Sequence, residues 1–405
     1  MIKIVYIIEK FPCESEHFIL NEILELEKQK FNIIILALRK TEKFFINSEF
    51  STLKSQIIYL PSFLVYVFSL NLFTGFKEKL HIYNNLCFKK STSLKIFLRK
   101  TQHFFIALYY ANKIKKLDIA HIHAHFAFIA ADIACILSKL LGIDFSFTAH
   151  AQDIYINKND IIPKIGMAKF IITCNVHNEI LLEDIKKSDN SKKKIFAIYH
   201  GINIKKWPYI EHNLSSHNPI KIITVARLVE KKGIIYGINA VKILIDRGYN
   251  VSYIIVGDGI LDTELKEYVK LEKLEKYIIF LGYKSQDDIY NLMVSSDIFI
   301  LPCIEAQNGD MDGLPNVLLE ALAVGLPVVS SKISAIKELI IHKETGLLVS
   351  PKDTMELSEA IIYLLSNNNL YNKLSNNGRK KIEMDFNIDI STTKLKNVFE
   401  EYILE

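Results

Sequence analysis

The chain of 405 residues has five cysteines, and no two of them are neighbours. Cys13, Cys87, Cys135, Cys174 and Cys303 make no C-x-x-C pair and no zinc spacing. That scatter excludes a disulfide scaffold and implies a reducing compartment with mostly buried thiols. No G-x-G-x-x-G follows the opening strand, so an NAD-type dinucleotide site loses its main support. The start, MIKIVYIIEKFP, reads as strand and loop and lacks a cleavable signal, which makes a cytoplasmic location the expectation. An unbroken membrane span is missing too. Ile57 to Phe76 is strongly apolar, yet Pro61, Asn71 and Gly75 interrupt the roughly 20 apolar residues a span needs. A buried helix, or one lying on a bilayer, fits that segment better. Nucleic acid is not an expected partner, because no aromatic platform for stacking bases accompanies the basic charge.

Half of the residues are hydrophobic, enough for a sizeable core. The length suggests two domains. Charge is uneven: residues 1–205 hold 28 basic and 18 acidic side chains, a balance of +10, and the remainder holds 22 and 27, a balance of −5. Lys77 to Lys116 carries ten basic residues against one acid, Glu78. An anionic acceptor, an anionic membrane surface and a plain solvated lysine face all remain open for this run.

The most informative stretch is Ser296 to Ser331, SDIFILPCIEAQNGDMDGLPNVLLEALAVGLPVVSS. It reads as strand, polar loop, apolar helix and strand, a βαβ unit whose ligands belong outside the carboxyl ends of the strands. Gly313, Leu314, Pro315 and Asn316 open the helix, and backbone N–H groups there suit an anion. Asp312 and Glu320 add carboxylates eight residues apart, suited to sugar or ribose hydroxyls. Upstream, Ile220 to Val225 reads as a strand running into ARLVEKKG. Arg227 and Lys232 flank that turn and can grip a diphosphate, whereas Lys231 is explained by surface charge alone. Val251 to Val256 ends in Gly257-Asp258-Gly259, small enough for close approach to a ligand. Tyr283 follows a further strand, at Ile278 to Gly282.

These motifs, in this order and spacing, resemble the retaining glycosyltransferases of the GT-B fold, specifically family 4 (glycosyl transferases group 1). The family pattern has glutamate, seven residues, then glutamate; here Asp312 holds the first position and Glu320 the second. The opening loop, with Phe11-Pro12 and Ser15-Glu16-His17-Phe18, resembles the subgroup of colanic acid and exopolysaccharide synthesis. The resemblance implies an α/β fold with two Rossmann-like, doubly wound parallel-sheet domains facing a central cleft. It implies that Arg227 and Lys232 stabilise the leaving diphosphate and that Gly257, Asp258 and Tyr283 border the nucleotide. Asp312 would bind sugar hydroxyls and Glu320 the ribose. His150 and Asp153, just past a strand at Phe145 to Thr148, would serve the transferred sugar. The opening loop would face the acceptor, contacted by Glu16 or His17, with a plain helix cap formed by Ser15 as the alternative, and His125 would lie near the active cleft. His121, His123 and His125 alternate on one strand face without a carboxylate at metal spacing, so no metal is expected. The His200-Gly201 turn resembles the close of the family's first domain.

The domains expected are 1–205 for the acceptor, 206–380 for the nucleotide sugar, and a helix at 381–405 returning to the first. The function implied is transfer of a hexosyl unit, with retention, from a UDP- or GDP-sugar to a lipid-linked or oligosaccharide acceptor in bacterial surface polysaccharide synthesis. No cofactor beyond the donor is called for. The expected location is cytoplasmic, with peripheral contact at the inner face of the plasma membrane through 57–116 and plain domain packing of that segment both open. A sugar-nucleotide epimerase of the same fold and a non-catalytic nucleotide-sugar-binding assembly protein are the alternatives.

Overall fold

The computed structural model describes residues 2–13, 16–41, 50–62, 76–88, 93–156, 158–188, 194–212, 214 and 218–404. Ser15, and residues 63–75 and 89–92 of the apolar and basic run, lie outside the described residues. The chain forms two compact units. One comprises Met1–Cys174, Asn178–His200 and Thr392–Glu405; the other comprises Asn175–His177 and Gly201–Ser391.

In the first unit the strands are β1 (Lys3–Lys10), β2 (Asn32–Arg39), β3 (Gln56–Tyr59), β4 (His121–His125), β5 (Phe145–Ala149), β6 (Phe170–Thr173) and β7 (Lys194–Ala197). They pair in parallel in the order β3-β2-β1-β4-β5-β6-β7. Their unbroken apolar runs follow from burial on both faces. Val5 and Ile7 pack toward the helices Leu94–Ile114 and Ile129–Leu141. Ile4, Tyr6 and Ile8 pack on the opposite face against the helix His17–Lys28 and against Leu395, Val398 and Phe399 near the chain's end.

The second unit's sheet is likewise parallel, with β8 (Ile220–Val225), β9 (Val251–Val256), β10 (Ile278–Gly282), β11 (Ile298–Leu301), β12 (Val328–Ser331) and β13 (Leu347–Val349) in the order β10-β9-β8-β11-β12-β13. The strand order reverses between β1 and β4 in one sheet and between β8 and β11 in the other. Those reversals are topological switch points, where loops leave the sheet in opposite directions and open a crevice for ligands.

The chain's final turn differs from the sequence expectation of a helix over 381–405. The helix Asn368–Asp385 runs on through residue 381, and a second helix, Ile388–Leu404, follows. Between them Ile202 donates to the Phe386 carbonyl and accepts from the Ile388 amide. This strand-like bridge takes the backbone groups a continuous helix would use. No helix among the described residues is long and apolar enough to cross a membrane.

Candidate active site

At the switch point of the second unit, β8 and β11 pair directly through Ile222 with Ile298 and Ile223 with Phe299. The loop after β8 carries Arg227, Lys231 and Lys232; the loop after β11 carries Asp310 and Asp312. Lys232 Nζ lies 2.5 Å from Asp312 Oδ2. Lys231 Nζ lies 2.9 Å from Asp310 Oδ1 and 3.4 Å from Asp312 Oδ1. The Ile304 amide also donates to the Lys231 carbonyl, tying the two loops together.

Lys231 is therefore no surface charge, contrary to the sequence reading. Its side chain is only 11% exposed, because two aspartates from the facing loop draw it inward. Nothing local to the sequence signals this; the partners lie about 80 residues away and meet it only through strand order. Asp312 is placed differently from a free sugar-binding carboxylate as well. One oxygen faces Lys231 and the other faces Lys232 and the Cys303 thiol. Burial alone would raise the Asp312 carboxyl, but Lys232 and Lys231 outweigh it and hold it below its usual range. Burial likewise opposes the Lys232 ammonium, and Asp312 more than restores it. Burial, reinforced by Asp312, pushes the Cys303 thiol far up, so it stays protonated.

Arg227 is exposed and makes no ion pair or hydrogen bond among the described residues. It is a permanent cation beside a lysine–aspartate cluster, without a counter-ion of its own. The β9 turn packs onto the same loop: Leu228 donates to the Asp258 carbonyl at 2.7 Å and Ala226 to the Val256 carbonyl at 2.9 Å. Gly257, with φ +125, lies so close to the Ala226 carbonyl that any Cβ would collide with it. The Asp258 side chain is exposed. Tyr283 is half-exposed beyond the edge strand β10, one strand further from the switch point than Asp258.

Gly313 and Pro315 are buried, and Leu314 partly so, as the chain enters the helix Asn316–Ala323 with Pro315 as its N-cap. Glu320 sits one turn into that helix. It is partly buried and makes no hydrogen bond or ion pair among the described residues, and burial pushes its carboxyl up to about 7.

A second cluster stands at the carboxyl ends of the first unit's strands. Glu22, on the helix after β1, accepts from the Tyr6 hydroxyl at 2.9 Å and lies 3.2 Å from His125 Nε2. Burial opposes the Glu22 charge, but His125 and these hydrogen bonds outweigh it and hold it ionised. Neither Glu22 nor Tyr6 was signalled by a motif; the helical and strand positions converge only in the fold. Glu16 opens the same helix, and burial raises its carboxyl. His121 and His123 share the Ser146 hydroxyl at 2.7 and 2.8 Å and are fully buried, so this alternation belongs to the core.

His150 follows β5. Its backbone amide donates to Asp153 Oδ2 at 2.8 Å, and burial pushes that carboxyl up to about 6. The His150 ring packs against Phe126 at 4.1 Å and His200 at 5.3 Å, while Phe18 stacks on His200 at 4.0 Å. Burial, followed by the neighbouring imidazoles, holds His150 neutral. His125, His150 and His200 are thus brought together, with Asp153 acting through the backbone of one of them.

Residues 205–381 match the family described as glycosyl transferases group 1. The chain is 39% identical over 184 residues to the amylovoran biosynthesis glycosyltransferase AmsK of Erwinia amylovora, covering 45% of each chain. It is 34% identical over 184 residues to the putative colanic acid biosynthesis glycosyltransferase WcaL of Escherichia coli strain K12, again covering 45% of each. The chain thus spans about half the length of these curated relatives. In three dimensions it is similar to Alr3699/HepE of Anabaena, solved in complex with UDP, with a TM-score of 0.73 and 15% identity over 99% of this chain and 100% of that one. That likeness shows the fold.

Proposed function

We propose, from the premise that the chain is a GT-B-fold relative of the group 1 glycosyl transferases, that it moves a hexosyl unit from a UDP- or GDP-sugar to a lipid-linked or oligosaccharide acceptor, with retention, in bacterial surface polysaccharide synthesis. The observation that carries this reading is the unpartnered Arg227 beside the Lys231–Lys232–Asp310–Asp312 cluster at a switch point. Fixed cations at the start of a helix oppose the charge that grows on a departing nucleoside diphosphate, and they need no reorganisation to do so. Arg227 grips the phosphates bidentately, and Lys232, kept protonated by Asp312, adds a point charge. Glu320 accepts from the ribose hydroxyls, and Gly257, Asp258 and Tyr283 border the nucleotide. His150, held neutral, and Asp153 are assigned to the transferred sugar, Glu16 to the acceptor, and His125 to the edge of the active cleft, on the family resemblance. UDP in a fold neighbour, and amylovoran and colanic acid biosynthesis in the relatives' names, support the donor and pathway class.

Calorimetric titration with a panel of UDP- and GDP-sugars tests the reading. One member should bind, and Arg227→Ala should lose it; binding of none, with the fold intact, would overturn it. The same titration carries a pH signature. Glu320 accepts ribose hydroxyls as the anion, and its carboxyl titrates near 7. Its ionised fraction rises through neutrality, so donor affinity should rise by roughly tenfold from pH 6 to pH 8. Glu320→Gln should flatten that rise; an unchanged slope in the variant would remove Glu320 from the ribose site.

We assign the membrane-facing surface to part of 57–116. Leu80, Leu94 and Leu98 are exposed there beside Lys77, Lys79, Lys95 and Arg99. Vesicles rich in phosphatidylglycerol should float with the protein and neutral vesicles should not. Equal flotation with both would reject the charge-dependent contact.

A further inference from the structure

We propose that His150, Cys174 and His200 form a binding site for a thiophilic divalent metal ion, zinc by its ligand chemistry, with two imidazoles and one thiolate as ligands and a fourth position open. No sequence spacing announces it, because the donors come from three strands. β5, β6 and β7 are adjacent and parallel, in a register that aligns Ala149 with Thr173 and Thr173 with Ala197. His150 and Cys174 are each the next residue along neighbouring strands, about 4.8 Å apart. His200 follows the third strand by three residues.

The donor atoms of all three lie within 4.8 Å of one another. His150 Nδ1 and Cys174 Sγ are already 3.8 Å apart. Zinc bonds of about 2.0 Å to nitrogen and about 2.3 Å to sulfur place tetrahedral ligands roughly 3.3–3.7 Å apart. Closure by about 1 Å completes the triangle. Phe126 against His150, and Phe18 against His200, fix the ring planes from outside.

The donor chemistry agrees with this assignment: an imidazole offers its lone pair to a metal in the neutral form, and a thiolate is a soft ligand. His150 Nε2 is buried and without a hydrogen-bond partner. Cys174 is not in a disulfide. On binding, its thiol gives up one proton to solvent as the sulfur–metal bond forms, and no electron moves. Sulfur with imidazole, and no carboxylate, selects zinc or its neighbours over magnesium or manganese.

The metal site shares His150 with the transferase reading and does not rest on it. Should His150 serve the donor sugar, a bound ion would hold its ring elsewhere, and zinc would inhibit transfer; metal binding itself does not require that role. The test is titration of the metal-free full chain with Co²⁺, followed by displacement with Zn²⁺. One equivalent of Co²⁺ should bind and give a thiolate-to-metal charge-transfer absorption that Zn²⁺ abolishes. Cys174→Ser should remove the absorption, and His200→Gln should weaken binding at least tenfold. Cys13→Ser should change neither. An absorption that is absent in the parent protein, or that survives Cys174→Ser, would overturn the site. So would a Co²⁺ affinity equal in the parent and both site variants.

Discussion

Lys232→Ala should lower sugar transfer by about 10²–10³-fold, the scale on which a single preorganised charge-stabilising group acts. The ammonium is buried, 2.5 Å from Asp312, and is kept protonated by it. Removing it takes positive charge from the proposed diphosphate site and leaves Asp312 with Lys231 as its remaining cation, at 3.4 Å. Breaking a buried pair from one side costs about 3–5 kcal/mol of stability, and Lys231 should keep the loss toward the lower end. The two effects separate in the double variant Lys232→Ala/Asp312→Asn. Its unfolding midpoint in denaturant should recover toward the parent value while transfer stays low. Transfer recovering together with stability would show that Lys232 acts only as a structural partner of Asp312.

Gly233→Ala should destabilise the second unit by about 4 kcal/mol or more, a range reached when a substitution forces packed backbone apart. Gly233 has φ +65, and a Cβ there would collide with the carbonyl oxygen of Pro302, the residue that follows β11. Neither atom is the flexible end of a side chain. The β8 and β11 loops would have to separate, and the lysine–aspartate pairs would stretch with them. Gly142→Ala provides the comparison: its φ is +68, yet nothing stands within 4 Å of the added carbon. That change should cost only about 1–2 kcal/mol, the strain of the left-handed backbone itself. Equal midpoint shifts in urea for the two variants would mean that the Pro302 contact yields without cost.

Much of this molecule was legible in its residues. Alternation of apolar runs and helical stretches announced two parallel-sheet units, because strands buried on both faces must be apolar throughout. Arg227, Lys232, Gly257, Asp312 and Glu320 could be picked out because each sits at the carboxyl end of a strand or in the helix that follows. Local order along the chain fixes that position. The Asp312 carboxylate was legible as a functional group, but its partners were not.

Strand order decided the rest. Placing β8 beside β11 set Lys231 and Lys232 against aspartates about 80 residues away, turning an apparent surface lysine into a largely covered one. Placing β5, β6 and β7 side by side gathered His150, Cys174 and His200, and placing β1 beside β4 brought Tyr6 and His125 to the same Glu22 carboxylate. Sequence determines which residues stand at strand ends, since helix and strand periods are local. Which strand ends become neighbours depends on non-local burial summed over a whole sheet, and only the tertiary structure records that choice.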